Sequence, residues 1–256
     1  MIKHYFALLS LAFALSACAG SREPRIPDRV INRALAGATG EAQPSRIIAR
    51  EIAFARAARD DGQWTAFREF AAPNALIHGR NGPIVAEPWL ASQDDPDEAV
   101  RWEPRAIWMS CDGSLAVSQG RFREPGGIVG DFVTVWERQP NGEYLYTYDF
   151  GAPDNPQPVA PPKQPAIGEN DIVVTAMNMV EGNVSQCATR GTTIPAPPAL
   201  TTPANAQVSS TLSDDRTLRW TWQHGPAQQR SVTVDWIVDG AWQQALSFTA
   251  PEPLEN

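Results

Sequence analysis

Four side chains near the middle of the chain could hold or move a proton: His78, Tyr146, Tyr148 and Asp149. A phenol in an apolar setting can donate to a substrate oxygen, as in oxyanion stabilisation. An imidazole, with its ordinary pKa of ~6.5, suits general acid–base work. A carboxylate can act as a base. Each has a plainer reading. The tyrosines can be core with their hydroxyls at a rim, and this is the commoner fate. His78 can close a strand end, with Arg80 disfavouring its charged form. Tyr148, Tyr146 and His78 therefore stand as catalytic candidates only.

The stretch that must position them is the hairpin Asp131 to Gly151, turning at Asn141-Gly142. Asn-Gly is the strongest short signal for a two-residue type I′ turn. Such a loop sets Pro140 opposite Glu143, Trp136 opposite Thr147, Val135 opposite Tyr148 and Thr134 opposite Asp149. Alternation then groups Val133, Val135, Tyr146, Tyr148 and Phe150 on one face. Phe132, Thr134, Trp136, Thr147 and Asp149 take the other. The first set is the more apolar and is expected to face the helices, which sends Asp149 outward with an ordinary pKa.

Before the hairpin, Ser45 is an expected N-cap for a helix over 46–61. Ile48, Ile52 and Ala55 share a face of it, with Ile47, Phe54 and Ala58 alongside, and Gly62 stops it. Trp64, Phe67 and Phe70 at threefold spacing mark a second short helix. A short strand over 75–78, a turn at 80–83 and a helical turn over 87–92 follow. Residues 100–110 and 115–123 read as strands. The order of helix, helix, strand, helix and then antiparallel strands is α+β.

The residues Asn74-Ala-Leu-Ile-His78, Arg101-Trp-Glu-Pro104, Gly130-Asp-Phe-Val-Thr-Val-Trp136 and Asp149-Phe-Gly151 resemble the SnoaL-like branch of the nuclear transport factor 2-like superfamily, in particular its uncharacterised bacterial lipoproteins. The resemblance covers residues 45–152, less than half of the chain. It implies a cone-shaped curved antiparallel sheet with N-terminal helices. Ligands would enter the mouth of the cone, past Trp64, Phe67, Trp102, Tyr146 and Tyr148. Relatives use an acid in the cone, but the register above turns Asp149 away from it. Relatives also pair through the outer sheet face, so a homodimer around Phe132 and Trp136 is expected.

The first residues read as an export signal, with Lys3 followed by an apolar run from Phe6 to Leu15 that is too short to span a bilayer. It ends in Leu15-Ser16-Ala17-Cys18, which resembles a bacterial lipobox. Residues 1–17 are then signal peptide, 18–44 a tether with a marginal helix over 28–36, and Cys18 the lipidated residue. Ala19 resembles the outer-membrane sorting choice, placing the protein in the periplasm. The formal net charge of -8 at pH 7 excludes nucleic acid as a natural partner. With three cysteines in all, an exported chain allows a Cys111–Cys187 disulfide or two free thiols.

Residues 153–165 are a proline-rich linker, and 166–251 a β-rich accessory region ahead of a frayed tail at 252–256. Residues 171–179 are expected as a strand. Residues 217–223 and 231–238 alternate as strands, and Asp239-Gly240 offers another hairpin turn before 242–249. Trp220, Trp222 and Trp236 on adjacent strands suggest a platform for envelope glycans, with burial as the simpler account. No repeat is detectable between the halves. No cofactor motif or metal-ligand set is present. The chain reads first as a module binding a small apolar ligand or a partner. A cofactor-free isomerase, dehydratase or cyclase is the alternative.

Overall fold

The structure is a computed structural model that describes residues 41–159, 179–188, 191 and 193–251. The export signal, Cys18, the helix expected over 28–36, the frayed tail, and all but the last residue of the strand expected over 171–179 lie outside these residues.

Helix α1 spans Pro44–Asp60, with proline in its first turn and no side-chain cap from Gln43. Proline suits that position because the amide it lacks would be unpaired anyway. Ser45, the expected cap, lies inside the helix. The buried stripe is Ile47, Glu51, Phe54 and Ala58, while Ile52 is half exposed. The helix is thus rotated from the expected face, and a carboxylate lies in the middle of its apolar stripe. Gly62, at φ 115°, turns the chain into α2, Gln63–Phe70. Strands β1 (Ala71–Gly79) and β2 (Gly82–Val85) and helix α3 (Ala86–Leu90) follow. Next come β3 (Arg101–Met109), β4 (Leu115–Arg123), β5 (Val129–Arg138) and β6 (Tyr144–Pro153), then β7 (Glu181–Val184).

These seven strands form one sheet in the order β2-β1-β6-β5-β4-β3-β7. Its pairs are antiparallel except β1–β6 and β3–β7, which are parallel. The helices cover the concave face, giving the α+β cone expected of a SnoaL-like domain. β7 comes from the accessory region, yet it extends the first sheet and is tied there by a Cys111–Cys187 disulfide with Cα atoms 5.1 Å apart. Strands β8 (Gln207–Leu212), β9 (Leu218–His224), β10 (Arg230–Val238) and β11 (Ala241–Thr249) make a second, four-stranded antiparallel sheet.

The second sheet lies on the outer face of the first. Val133, Val135, Tyr148 and Phe150 pack against Leu218, Trp220, Trp222, Val232 and Val234. This overturns the expected orientation of the hairpin. Its more apolar face is turned away from the helices because a second layer buries it. The same packing corrects three further expectations. Tyr148 lies between the sheets, outside the cone. Trp220 and Trp222 are core residues, and Trp236 is partly buried against the same cluster, so they form no open glycan platform. Phe132 and Trp136 are buried on the cone side and do not lie on the outer sheet face.

The turn also differs from the expected one. Gln139 pairs with Glu143, leaving Pro140, Asn141 and Gly142 as a three-residue loop with Gly142 at φ 86°. Proline pre-sets the first position of a type I turn, and glycine then takes the left-handed position that closes it. The loop therefore runs one residue longer than expected, so Trp136 pairs with Tyr146. A β-bulge then absorbs Thr147, after which Val135 opposes Tyr148 and Thr134 opposes Asp149. The bulge reverses the alternation. Tyr146 and Asp149 both face the cone, while Tyr148 and Phe150 face outward.

Candidate active site

The cone encloses a cavity of about 250 Å³ between the helices and the sheet. Phe54, Trp64, Phe67, Trp89, Trp102 and Phe132 supply most of its apolar wall, and Gln63, Thr134, Glu124 and Asp149 supply polar atoms. α2 is fixed over the mouth by Asp95, whose carboxylate accepts from the Trp64 N–H at 2.5 Å, the Thr65 N–H at 3.1 Å and the Thr65 hydroxyl at 2.6 Å. This cap satisfies amides that the first turn of a helix leaves open. Gln63 ties in the segment leading to β3, since its Oε1 accepts the Val100 N–H at 2.9 Å.

With Glu124, Asp149 is one of two acids that line this cavity. Its Oδ2 accepts the Thr134 hydroxyl at 2.7 Å, and its β1 neighbour in the ladder is Ile77, another lining residue. Desolvation by the surrounding protein raises its pKa from 3.8 to about 6, against the smaller opposing effect of the Thr134 bond. The carboxylate is therefore poised to exchange a proton near neutral pH. The expectation that it points outward with an ordinary pKa is overturned.

A further acid, absent from the sequence-based candidates, lies behind the wall. Glu51 is fully buried. It accepts from the Ser118 hydroxyl, from the Trp136 indole at 3.0 Å and from the Trp102 indole at 3.1 Å. Burial raises its pKa to about 7, the three hydrogen bonds oppose that rise, and Asp149 adds to it. Glu51 thus orients Trp102, a lining residue, and couples electrostatically to Asp149. One signal for it was legible. Ile47, Phe54 and Ala58 already define a helical stripe, and Glu51 is its missing member.

Trp64, Phe67 and Trp102 line the cavity as expected. Tyr146 is buried on the cone side, but its hydroxyl donates to the Phe67 carbonyl at 2.8 Å and so holds α2 in place. Desolvation raises its pKa above the ordinary value. His78 and Tyr148 are brought together, but outside the cone. His78 Nδ1 lies 2.6 Å from the Tyr148 hydroxyl and its Nε2 lies 3.0 Å from Nδ1 of His224. Neither residue lines the cavity. Among the described residues no cluster of ligands for a metal ion occurs.

The cavity opens beside a groove of about 510 Å³ that shares Trp102 and Phe122 with it. Arg101, Arg105, Arg121 and Arg123 line the groove. Arg101 and Arg123 are direct cross-strand neighbours, an arrangement in which like charges repel. Arg101 has Glu98 at 2.9 Å, and Arg121 is held by Asp131 and Asp154. Arg123 has no hydrogen-bond or ion-pair partner among the described residues.

No family model matches the chain, and no curated protein matches it. Several solved structures are similar over somewhat under half of it, three of them as follows. A candidate ketosteroid isomerase from Parabacteroides distasonis ATCC 8503 is 16% identical with a TM-score of 0.37, covering 46% of this chain and 93% of its own. Nuclear transport factor 2 from Cryptosporidium parvum is 12% identical with a TM-score of 0.32, covering 42% and 92%. A candidate ketosteroid isomerase from Shewanella frigidimarina NCIMB 400 is 15% identical with a TM-score of 0.32, covering 44% and 98%. The likeness is one of fold.

Proposed function

We propose that the cone binds a small, mostly apolar molecule that carries an acidic group. The observation behind this reading is a cavity walled mainly by aromatic rings, with Asp149 and Glu124 among its few polar groups. Pockets for small molecules have this composition, with few polar groups fixing orientation. The arginine groove at the mouth favours an anion at the exposed end of the ligand. Naphthylacetate and its neutral amide are suitable probes, read by quenching of the lining tryptophans. The acid is expected to bind about tenfold more tightly than the amide, equivalent to about 1.4 kcal/mol. That advantage should shrink with salt and in Arg123→Ala. Equal affinity for the two probes would remove the anion from the proposal, and no quenching by either would remove the ligand class.

The raised pKa of Asp149 favours a second reading, cofactor-free proton transfer at a carbon next to a carbonyl. Asp149 would take the proton from carbon and return one from solvent. The check is hydrogen–deuterium exchange at the methyl group of acetonaphthone. Its rate should rise through pH 6, and Asp149→Asn should lower it by about a hundredfold or more. A variant that binds naphthylacetate normally and exchanges at the wild-type rate would leave binding alone.

We also propose a lipid anchor at Cys18 in the cell envelope. The lipobox-like Leu15-Ser16-Ala17-Cys18 supports it, as does the Cys111–Cys187 bridge, because disulfides persist in oxidising compartments. Cys18→Ser is expected to move the protein from the membrane to the soluble fraction and to abolish incorporation of labelled palmitate. Unchanged fractionation would count against the anchor.

A further inference from the structure

The turn Ser110-Cys-Asp-Gly-Ser-Leu115, which joins β3 to β4, has a counterpart in Ser213-Asp-Asp-Arg-Thr-Leu218, which joins β8 to β9. Both are built the same way. The first residue donates its N–H to the carbonyl of the last, in Ser110 to Leu115 and in Ser213 to Leu218. In each the fourth residue is left-handed, Gly113 at φ 68° and Arg216 at φ 61°. In each the serine hydroxyl accepts the N–H of the leucine at 3.1 Å.

The correspondence continues into the ladders. Aligning Leu115 with Leu218 sets Val117 on Trp220. The partners of these two residues are Val135 and Val234. Val133-Thr-Val135 therefore falls on Val232-Thr-Val234, the same three residues at the same register. The bulge recurs as well. In β6 it lies between the partners of Val135 and Trp136, and in β11 between the partners of Val234 and Asp235. Thr147 and Ala245 are the extra residues. Beyond them Tyr148-Asp149-Phe150 corresponds to Leu246-Ser247-Phe248. A shared turn, a shared tripeptide and a shared bulge in one register go beyond what sheet packing alone requires.

The two turns also meet about a local two-fold axis. The Asp112 N–H donates to Asp215 Oδ2 at 2.9 Å, and the Asp215 N–H donates to Asp112 Oδ2 at 3.2 Å. The Cys111 N–H donates to the Thr217 hydroxyl at 3.0 Å, and the Asp214 N–H donates to the Ser114 hydroxyl at 3.1 Å. Every bond has its mirror, which is the signature of an isologous contact between two copies of one surface.

We infer that residues 207–250 are a second copy of the meander 101–152, stripped of its helices, and that it serves the cone as a built-in partner. The two-fold dimer is thus made within one chain. This corrects the reading that the halves carry no repeat. It also accounts for the lost helices. The positions of the second copy that correspond to cone-facing ones are polar. Ala116 becomes Arg219, Trp136 becomes Asp235 and Asp149 becomes Ser247. Arg219 and Asp235 pair at 2.7 Å. A proline-rich crossing replaces the helices, with the Pro198 carbonyl accepting from Arg219 at 2.5 Å and the Pro195 carbonyl from the Trp242 indole at 2.9 Å. Ser247 stands where Asp149 does, so the second copy carries no counterpart of that acid.

Sedimentation equilibrium on the purified full chain tests this inference. The mass of one chain is expected throughout the micromolar range, and a two-chain mass overturns the built-in partner. Asp112→Ala and Asp215→Ala give a second readout on the full chain. Because the two carboxylates hold mirrored bonds, the variants should lower Tm alike, each by about 5 °C. The double variant should lose less than the sum. Losses that differ more than threefold, or that simply add, would overturn the two-fold equivalence.

Discussion

A chain with both Cys111 and Cys187 changed to serine is expected to lose about 4 kcal/mol of stability. The bridge joins residues 76 apart in sequence, and closing a loop of that length removes about this much entropy from the unfolded chain. The corresponding fall in Tm is about 10 °C for a domain of this size. Urea unfolding of the native protein against the double serine variant measures it. A loss below about 1 kcal/mol would show that loop closure is not what the bridge supplies. The loss should begin at β7, which is four residues long, largely exposed and paired only with β3 on the sheet's edge.

Acid is expected to loosen the seam between the two sheets through His78. Burial, followed by His224 and Arg230, lowers the His78 pKa from 6.5 to about 3. The folded state thus keeps the ring neutral where the unfolded chain protonates it. Stability from this group is full above pH 6.5 and falls by about 1.4 kcal/mol per pH unit as pH drops toward 3. The groups facing the ring are the Tyr148 hydroxyl, the second imidazole of His224 and Arg230, whose Nη1 donates to the His78 carbonyl at 3.2 Å. None is an acid that would welcome the proton. Unfolding free energies measured from about pH 7.5 down to about pH 4 for the native chain and His78→Gln separate the contribution of His78 from others. The difference between the two curves should close as pH falls. A His78 ring that titrates near 6.5 by nuclear magnetic resonance would remove the effect.

Asp149 and Glu51 act in the opposite sense. Their folded pKa values are raised to about 6 and about 7. The stability they contribute is present below their unfolded values near 4 and is lost as pH rises through the folded ones. These two acids and the imidazole of the seam thus oppose each other across mildly acidic pH.

Much of the fold was legible because local signals and tertiary packing agreed. β4 spans the expected 115–123, and α2 follows the threefold spacing of its aromatics. Asp239-Gly240, with φ of 51° and 75°, is the two-residue turn its sequence suggests. Asn141-Gly142 is not, because the preceding Pro140 commits the chain to a type I turn first. The facing of β5 and β6 was misread for a physical reason. Apolarity identifies a buried face, but here both faces are buried, and the one turned to the cavity is the less apolar. A rule that turns the greasier face toward the helices fails when a second sheet needs it more. Glu51 was missed because an acid between isoleucines in a helix reads as surface.

The kink at Thr147 has one more consequence. Were the outer half of β6 to slip by a single step along β5, the phenol of Tyr148 would enter the chamber and the carboxylate of Asp149 would leave it. The place of that carboxylate in the chamber therefore depends less on which residues the strand contains than on one surplus residue that none of its neighbours pairs with.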